Sequence, residues 1–199
     1  LRVRSAEELL DLAYVATRKI YPVGNTLGVV TVSGGVGVLV SDIAEDEGLA
    51  MPPMPAAAQQ RLLELLPYSS PVNPVDCTAQ AVNDASLVRR FTESMVADGG
   101  YQSVLSFYAQ LADVPGVGER LRGDLSALRQ QHPDRLFVVS ATMAPERRGA
   151  WDAAGLVVLE DAVRATHAIA AMGRLGDGFA RAAAPMQVDA PALALPPGP

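Results

Sequence analysis

Short, unbroken apolar runs alternate along the chain with longer stretches in which apolar residues return every three or four positions. The runs at 27–32, 104–108, 136–140 and 156–159 are rich in valine and leucine, the pattern of strands buried on both faces. Helices fill the intervals. Ser5 and Glu8 form a capping box ahead of a face made by Leu9, Leu10, Leu12, Ala13 and Val15, which predicts a helix to about Ile20. Val36, Val38, Leu39, Ile43 and Ala44 predict a second helix, ending at Gly48. A third is predicted over 56–66, and a fourth on the face Leu87, Val88, Phe91, Met95 and Val96, capped by Asn83 or Asp84. One more runs to Gln130, a short one covers 151–154, and the last runs from Asp161 to about Met172. Three prolines within residues 51–55 make a rigid loop, and residues 67–81, with Pro71, Asn73 and Pro74, read as irregular.

Strands alternating with helices imply a parallel sheet covered on both faces. Right-handed crossovers make it a flavodoxin-like, doubly wound α/β domain with its ligand edge at the carboxyl ends of the strands. Segments 33–37, 109–114 and 141–147 fall on that edge. The expected division is a leading helix and connector over 1–24, the domain over 25–178, and an Ala/Pro-rich linker or tail over 179–199.

Bulk properties narrow the chemistry. A chain of 199 residues with 49% hydrophobic and 19% charged residues reads as globular. Its net charge of −6 gives no basic footprint for nucleic acid. No apolar run approaches the roughly 20 residues needed to span a bilayer, so no membrane partner is expected. The lone Cys77 excludes an internal disulfide or a cysteine zinc cluster and points to a reducing, cytoplasmic setting. A start at Leu1, without methionine or targeting segment, suggests a piece of a longer polypeptide.

The densest chemical signal is Thr31-Val32-Ser33-Gly34-Gly35-Val36-Gly37, where a strand stops and a helix begins at once. Such a junction aims unpaired N–H groups and the positive end of a helix dipole at one point, a site for phosphate or carboxylate. Ser33, Gly34, Gly35, Val36 and Gly37 are therefore candidate phosphate-binding residues; the plain alternative is that the glycines only permit a tight turn. No Gly-Lys-Ser/Thr follows, the third glycine of a dinucleotide fingerprint is missing, and Thr31 replaces the first glycine of a nucleophile elbow. Asn73-Pro74-Val75-Asp76 is the second candidate, either a loop that presents a ligand or an Asx-type turn. His132 reads as solvated and His167 as a packing or interface residue; neither has a triad context, and no metal-ligand cluster or catalytic residue is expected. Glu45, Asp46 and Glu47 read as a solvated helix end.

Together these motifs resemble a family pattern. Ser-Gly-Gly-x-Gly-Val-Leu at 33–39, Glu47-Gly48-Leu49, Leu65-Leu66-Pro67 and Asn73-Pro74-Val75-Asp76 look like the NDP-forming acyl-CoA synthetases. That superfamily holds the ADP-forming acetate–CoA ligases and succinyl-CoA synthetase. The stretch Ala153-Ala154-Gly155-Leu156-Val157-Val158-Leu159-Glu160-Asp161-Ala162-Val163-Arg164-Ala165 is similar to its characteristic ending, and the likeness spans residues 5–175.

The resemblance implies the second flavodoxin-like CoA-ligase domain of an enzyme that makes acyl-CoA from acid, CoA and ATP through a phosphohistidine. The 33–37 turn would hold the phosphoryl group. It further implies CoA, ATP and Mg2+ for the whole enzyme, none held by this stretch alone. CoA-binding and ATP-grasp domains, a small carboxylic acid and an oligomeric assembly are the implied partners. Val36 stands where proline is commonest, Phe107-Tyr108-Ala109-Gln110 replaces a more glycine-rich turn, and the family's histidine motif is missing. A non-catalytic regulatory or docking module, such as a synthetase-like region fused to an acyltransferase, is the alternative.

Overall fold

The computed structural model describes residues 1–78, 80 and 84–183, with nothing specified for the side chain of Ala85. Strands β1 (Leu27–Thr31), β2 (Val75–Asp76), β3 (Ser103–Ala109), β4 (Leu136–Ala141) and β5 (Val157–Leu159) form one parallel sheet in the order β2-β1-β3-β4-β5. This is the flavodoxin-like order, with its switch point between β1 and β3. The strands carry apolar residues on both sides because both faces are covered. Leu27, Val29, Leu105, Leu136, Val138, Val157 and Leu159 join one core, and Val30, Val104, Tyr108, Phe137, Val139 and Val158 join the other.

Helices α1 (Ala6–Ala16), α2 (Gly34–Asp46) and α7 (Ala162–Ala183) cover the first face. Helices α3 (Ala56–Leu65), α4 (Ala85–Gly99), α5 (Val117–Gln131) and α6 (Pro145–Ala153) cover the second. The leading helix, expected as a separate stretch over 1–24, is built into the first face. Its Asp11 is buried and receives a two-pronged pair from Arg164 of α7, Nε to Oδ2 at 2.7 Å and Nη2 to Oδ1 at 2.6 Å. Its Tyr14 hydroxyl accepts the Val158 N–H at 3.0 Å, satisfying an outer donor of the edge strand β5.

Three boundaries differ from the sequence expectation. Residues 75–76, read as irregular, form the outermost strand, because Asn73 carries the sheet pairing one step further than its backbone could. The buried Asn73 side chain accepts the Val29 N–H at 3.0 Å and donates to the Leu27 and Pro52 carbonyls at 3.0 and 3.1 Å. Helix α6 starts at Pro145 rather than 151, with proline at a first-turn position where its missing N–H costs nothing. Helix α7 runs to Ala183, well past Met172, because Gly176 lets it lie directly against the Pro22 carbonyl and Phe179 meets the Tyr21 ring edge-on at 5.0 Å. Residues 184–199 of the expected tail lie outside the described residues, as does Asn83; Asp84 caps α4, its side chain accepting the Ser86 N–H at 2.9 Å.

Candidate functional site

Strand β1 ends in a turn organised by a residue that the motif reading passed over. The Thr31 hydroxyl accepts the Ser33 N–H and donates to the Ser33 carbonyl, both at 2.9 Å. Ser33 is thereby fixed as the N-cap of α2 in extended geometry, with its own side chain making no cap bond. The first bond back to the cap is Gly37 N–H to the Ser33 carbonyl at 3.2 Å. The N–H groups of Gly34, Gly35 and Val36 precede it and have no partner within the helix. Gly34 and Gly35 are exposed and Gly37 is buried.

The three glycines have different physical reasons. A Cβ at Gly37 would lie 3.2 Å from the Pro74 Cβ, so Gly37 lets the 73–76 segment pack on α2. A Cβ at Gly34 would lie 3.0 Å from Asp76 Oδ2. At Gly35 a Cβ would meet nothing within 4 Å. The fold thus leaves little room at Gly37, against the proline ring, or at Gly34, against the Asp76 carboxylate, and leaves Gly35 unconstrained.

Pro74 and Asp76 are therefore brought to the N-terminal turn of α2. Asn73 is turned away from it, into β1, and Val75 is buried in the core. Asp76 is anchored by its Oδ1, which accepts the Thr78 N–H at 2.8 Å, while Oδ2 faces Gly34. Beside it Cys77 is buried, its thiol donating to the Thr31 carbonyl at 3.2 Å. Burial, helped by the Asp76 charge, pushes this thiol up to about 12, so it is a packing group and no nucleophile near neutral pH.

The other two edge segments are latched together. Asp113 Oδ1 accepts the Ala144 N–H at 3.0 Å and lies 3.4 Å from Arg147 Nε, joining the loop after β3 to the start of α6. Ala109, at the end of β3, has φ of +50°, a strained geometry of the kind concentrated at functional edges. Among the described residues no three His, Cys, Asp or Glu side chains converge as metal ligands would, and no helix is long and apolar enough to cross a membrane.

Comparison with known proteins bears on this edge. No family model matches the chain. Over 174 residues it is 25% identical to acetate–CoA ligase [ADP-forming] I subunit alpha of Pyrococcus furiosus, a match covering 86% of this chain and 37% of that protein. Over most of its length the chain is similar to this ligase subunit. It spans little more than a third of the relative's length.

Solved structures show the same fold. A dinucleotide forming acetyl-coenzyme A synthetase 1 of Ca. Korarchaeum cryptofilum, apo and in complex with phosphate and ADP, superposes at TM-score 0.74 with 20% identity. Both forms cover 92% of this chain, which matches 40% and 39% of theirs. PH0766 from Pyrococcus horikoshii OT3 superposes at 0.75 with 17% identity over 88% of this chain and 41% of its own.

Several residues of the acetate–CoA ligase likeness prove architectural. Asp161 caps α7, its Oδ1 accepting the N–H groups of Val163 and Arg164 at 2.7 and 3.0 Å, and Arg164 then reaches Asp11. The acidic run at the end of α2 needs a correction. Glu45 and Asp46 are exposed, but the Glu47 side chain is largely covered and holds two arginines and a histidine. Arg4 Nη2 is at 2.9 Å, Arg174 Nη1 at 2.7 Å and His167 Nδ1 at 2.7 Å. His167 is thus an interhelical packing residue, as its position on α7 predicted, and the two arginines also suit the negative end of α2. His132 ends α5, its N–H donating to the Leu128 carbonyl at 3.0 Å.

Burial pushes the Glu47 carboxyl up, but hydrogen bonds from Arg174, Arg4 and His167 outweigh it and hold it at about 2, below its ordinary 4.5. A depressed carboxylate stabilises the fold above its unfolded value and loses that contribution as pH falls. Glu47→Gln is expected to lower the melting temperature near pH 6. The gap to wild type should then close between pH 4.5 and about 2, as Glu47 protonates in the wild type. Thermal melts of both proteins across that window check it; a gap independent of pH would show that the bonds to Arg4, Arg174 and His167 contribute nothing through charge.

Proposed function

We propose that this chain is the flavodoxin-like CoA-ligase domain of an NDP-forming acyl-CoA synthetase, converting acid, CoA and ATP to acyl-CoA, ADP and phosphate. In this role the N-terminal turn of α2 holds the phosphoryl group while a histidine of another domain carries it. The observation that supports it most is the exposed turn at Gly34 and Gly35, on the carboxyl edge of the sheet, in a chain similar to a ligase subunit. The N–H groups of Gly34, Gly35 and Val36 would donate to phosphoryl oxygens, with the helix dipole adding to their field. Such preorganised donors stabilise developing charge without giving up a proton. The anchored Asp76 carboxylate would accept an N–H from the imidazole that brings the phosphoryl group, and so favours a carried phosphoryl over a free dianion.

ATP and its Mg2+ would supply the phosphoryl group and CoA the thiol, each held by companion domains. The acid is a small carboxylic acid, and the setting is cytoplasmic. The test is acyl-CoA formation by the intact polypeptide and its partner domains with a panel of carboxylic acids, alongside detection of an acid-labile phosphoenzyme. Acid- and CoA-dependent ADP release is expected from the complete assembly and none from residues 1–199 alone. A complete assembly that yields neither acyl-CoA nor phosphoenzyme would replace this function with the regulatory or docking role.

A further inference from the structure

A groove of about 710 Å³ opens where the residues before α1, the end of α2 and the later turns of α7 meet. It lies at the opposite end of α2 from the Gly34 turn, about 20 Å away at the helical rise of about 1.5 Å per residue. Four arginines stand around it, Arg2 and Arg4 from the chain's first residues and Arg174 and Arg181 from α7. Two carboxylates, Glu8 and Glu47, oppose them, so the lining side chains sum to a positive charge in a chain whose net charge is −6. Glu47 occupies Arg4 and Arg174, at 2.9 and 2.7 Å, and Glu8 lies 3.6 Å from Arg4 Nε. Arg2 and Arg181 are exposed and have no ion pair among the described residues. Between the arginines the lining is apolar. Phe179 is 54% exposed, with one ring edge held 5.0 Å from Tyr21, and Leu175 is half-buried beside it. Arg174, Gly178 and Arg181 follow one another at four and three residues and share one side of α7. A Cβ at Gly178 would meet nothing within 4 Å, so the gap there serves no packing of the domain, although glycine weakens a helix interior relative to alanine.

We infer that this groove binds a small organic dianion with a flat apolar body, of the phosphate monoester class, with Arg2 and Arg181 taking the charge and Leu175 and Phe179 the body. A guanidinium presents a rigid fork of donors matched to phosphate oxygens and keeps its charge across the pH range in which proteins fold. Two such groups without carboxylate partners on one groove call for two negative charges. The bonds to Glu47 hold Arg4 and Arg174 in place, so they add to the positive field without having to be ordered by the ligand. The volume falls within the roughly 300–1,000 Å³ of small-ligand sites, which likewise pair an apolar lining with a few charged groups. A ligand seated there would join the chain's first residues to α7, the same two segments that Glu47 ties together, and would stabilise the fold by binding it. Nothing in this site depends on the phosphoryl-transfer role, which belongs to the other end of α2.

Calorimetric titration of the intact polypeptide with phenyl phosphate tests it, with inorganic phosphate, benzoate and phenol as separate arms. Phenyl phosphate is expected to bind at least about 10-fold tighter than each of the three, because each lacks either the apolar body or part of the charge. The double variant Arg2→Ser with Arg181→Ser should weaken phenyl phosphate about 10–100-fold, the loss expected for two charge-assisted contacts at an exposed site. Gly178→Phe fills the groove and leaves every charge in place, and should abolish this binding with the melting temperature retained. Saturating phenyl phosphate should raise the melting temperature of wild type but not of Gly178→Phe. Gly35→Val, at the far end of α2, should leave the titration unchanged, which separates capture in this groove from capture at the α2 turn. Equal binding by wild type, the double arginine variant and Gly178→Phe overturns the inference, and so does the absence of binding to wild type. Inorganic phosphate bound as tightly as phenyl phosphate also overturns it, by reducing the groove to a charged patch.

Discussion

Gly35→Val in the intact enzyme is expected to reduce phosphoenzyme formation and turnover by about 10²–10³, the loss typical of an oxyanion-type site in which one preorganised donor can no longer be reached, because the added side chain keeps the anion off the backbone N–H. The melting temperature should stay within about 2 °C of wild type, less than a change of 1 kcal/mol produces in a domain of this size. The two results separate because Gly35 sits inside α2 in ordinary helical geometry, where an added Cβ meets nothing within 4 Å. The domain gains nothing from a glycine there, since glycine costs a helix about 1 kcal/mol relative to alanine. Gly35→Ala should therefore raise the melting temperature slightly while still slowing phosphoryl transfer, by intruding where an anion and its carrier approach. A folded Gly35→Val enzyme with wild-type turnover would reduce the glycines to turn formers. Gly37→Val is the contrasting control, because it collides with Pro74 and is expected to disturb folding itself.

Asn73→Ala is expected to destabilise the domain by about 3 kcal/mol, at about 1–3 kcal/mol for each buried polar group left unpaired. Its amide completes the outer edge of β1 where β2 is too short to do so. Removing it strands the Val29 N–H and the Leu27 carbonyl, while the Pro52 carbonyl keeps the Tyr101 hydroxyl at 2.7 Å. In a chain of this length that corresponds to a drop of roughly 6–12 °C in melting temperature. Urea denaturation and calorimetry check it. A loss of activity at unchanged stability would instead mark Asn73 as a ligand residue, contrary to its direction in the fold.

The α/β alternation and the flavodoxin-like class were legible because a parallel sheet buried on both faces needs unbroken apolar strands separated by amphipathic helices. Runs such as Leu27–Thr31 and Leu136–Ala141 can satisfy no other arrangement economically. Local caps were legible for the same kind of reason. Ser5 accepts the Glu8 N–H at 3.1 Å, and Asp84 caps α4, both within four residues of chain. The Ser33–Gly37 junction was visible as a possible anion site because a strand meeting a helix at glycine always exposes N–H groups.

Other features depended on contacts between residues far apart in the chain. Nothing local distinguishes Glu47 from its exposed neighbours Glu45 and Asp46. It became the centre of a hydrogen-bonded knot only when α7 brought His167 and Arg174 to it and the leading segment brought Arg4. The strand at 75–76 was hidden because two residues carry no periodicity, and its pairing rests on an asparagine side chain 44 residues from its partner. The three glycines of the motif look equivalent in sequence. Pro74 and Asp76, arriving from the neighbouring strand, decide which of them the fold crowds and which it leaves open. Periodicity and capping act within a few residues and can be read along the chain; burial of charge, close approach and the completion of a sheet edge are set only by what folding brings alongside.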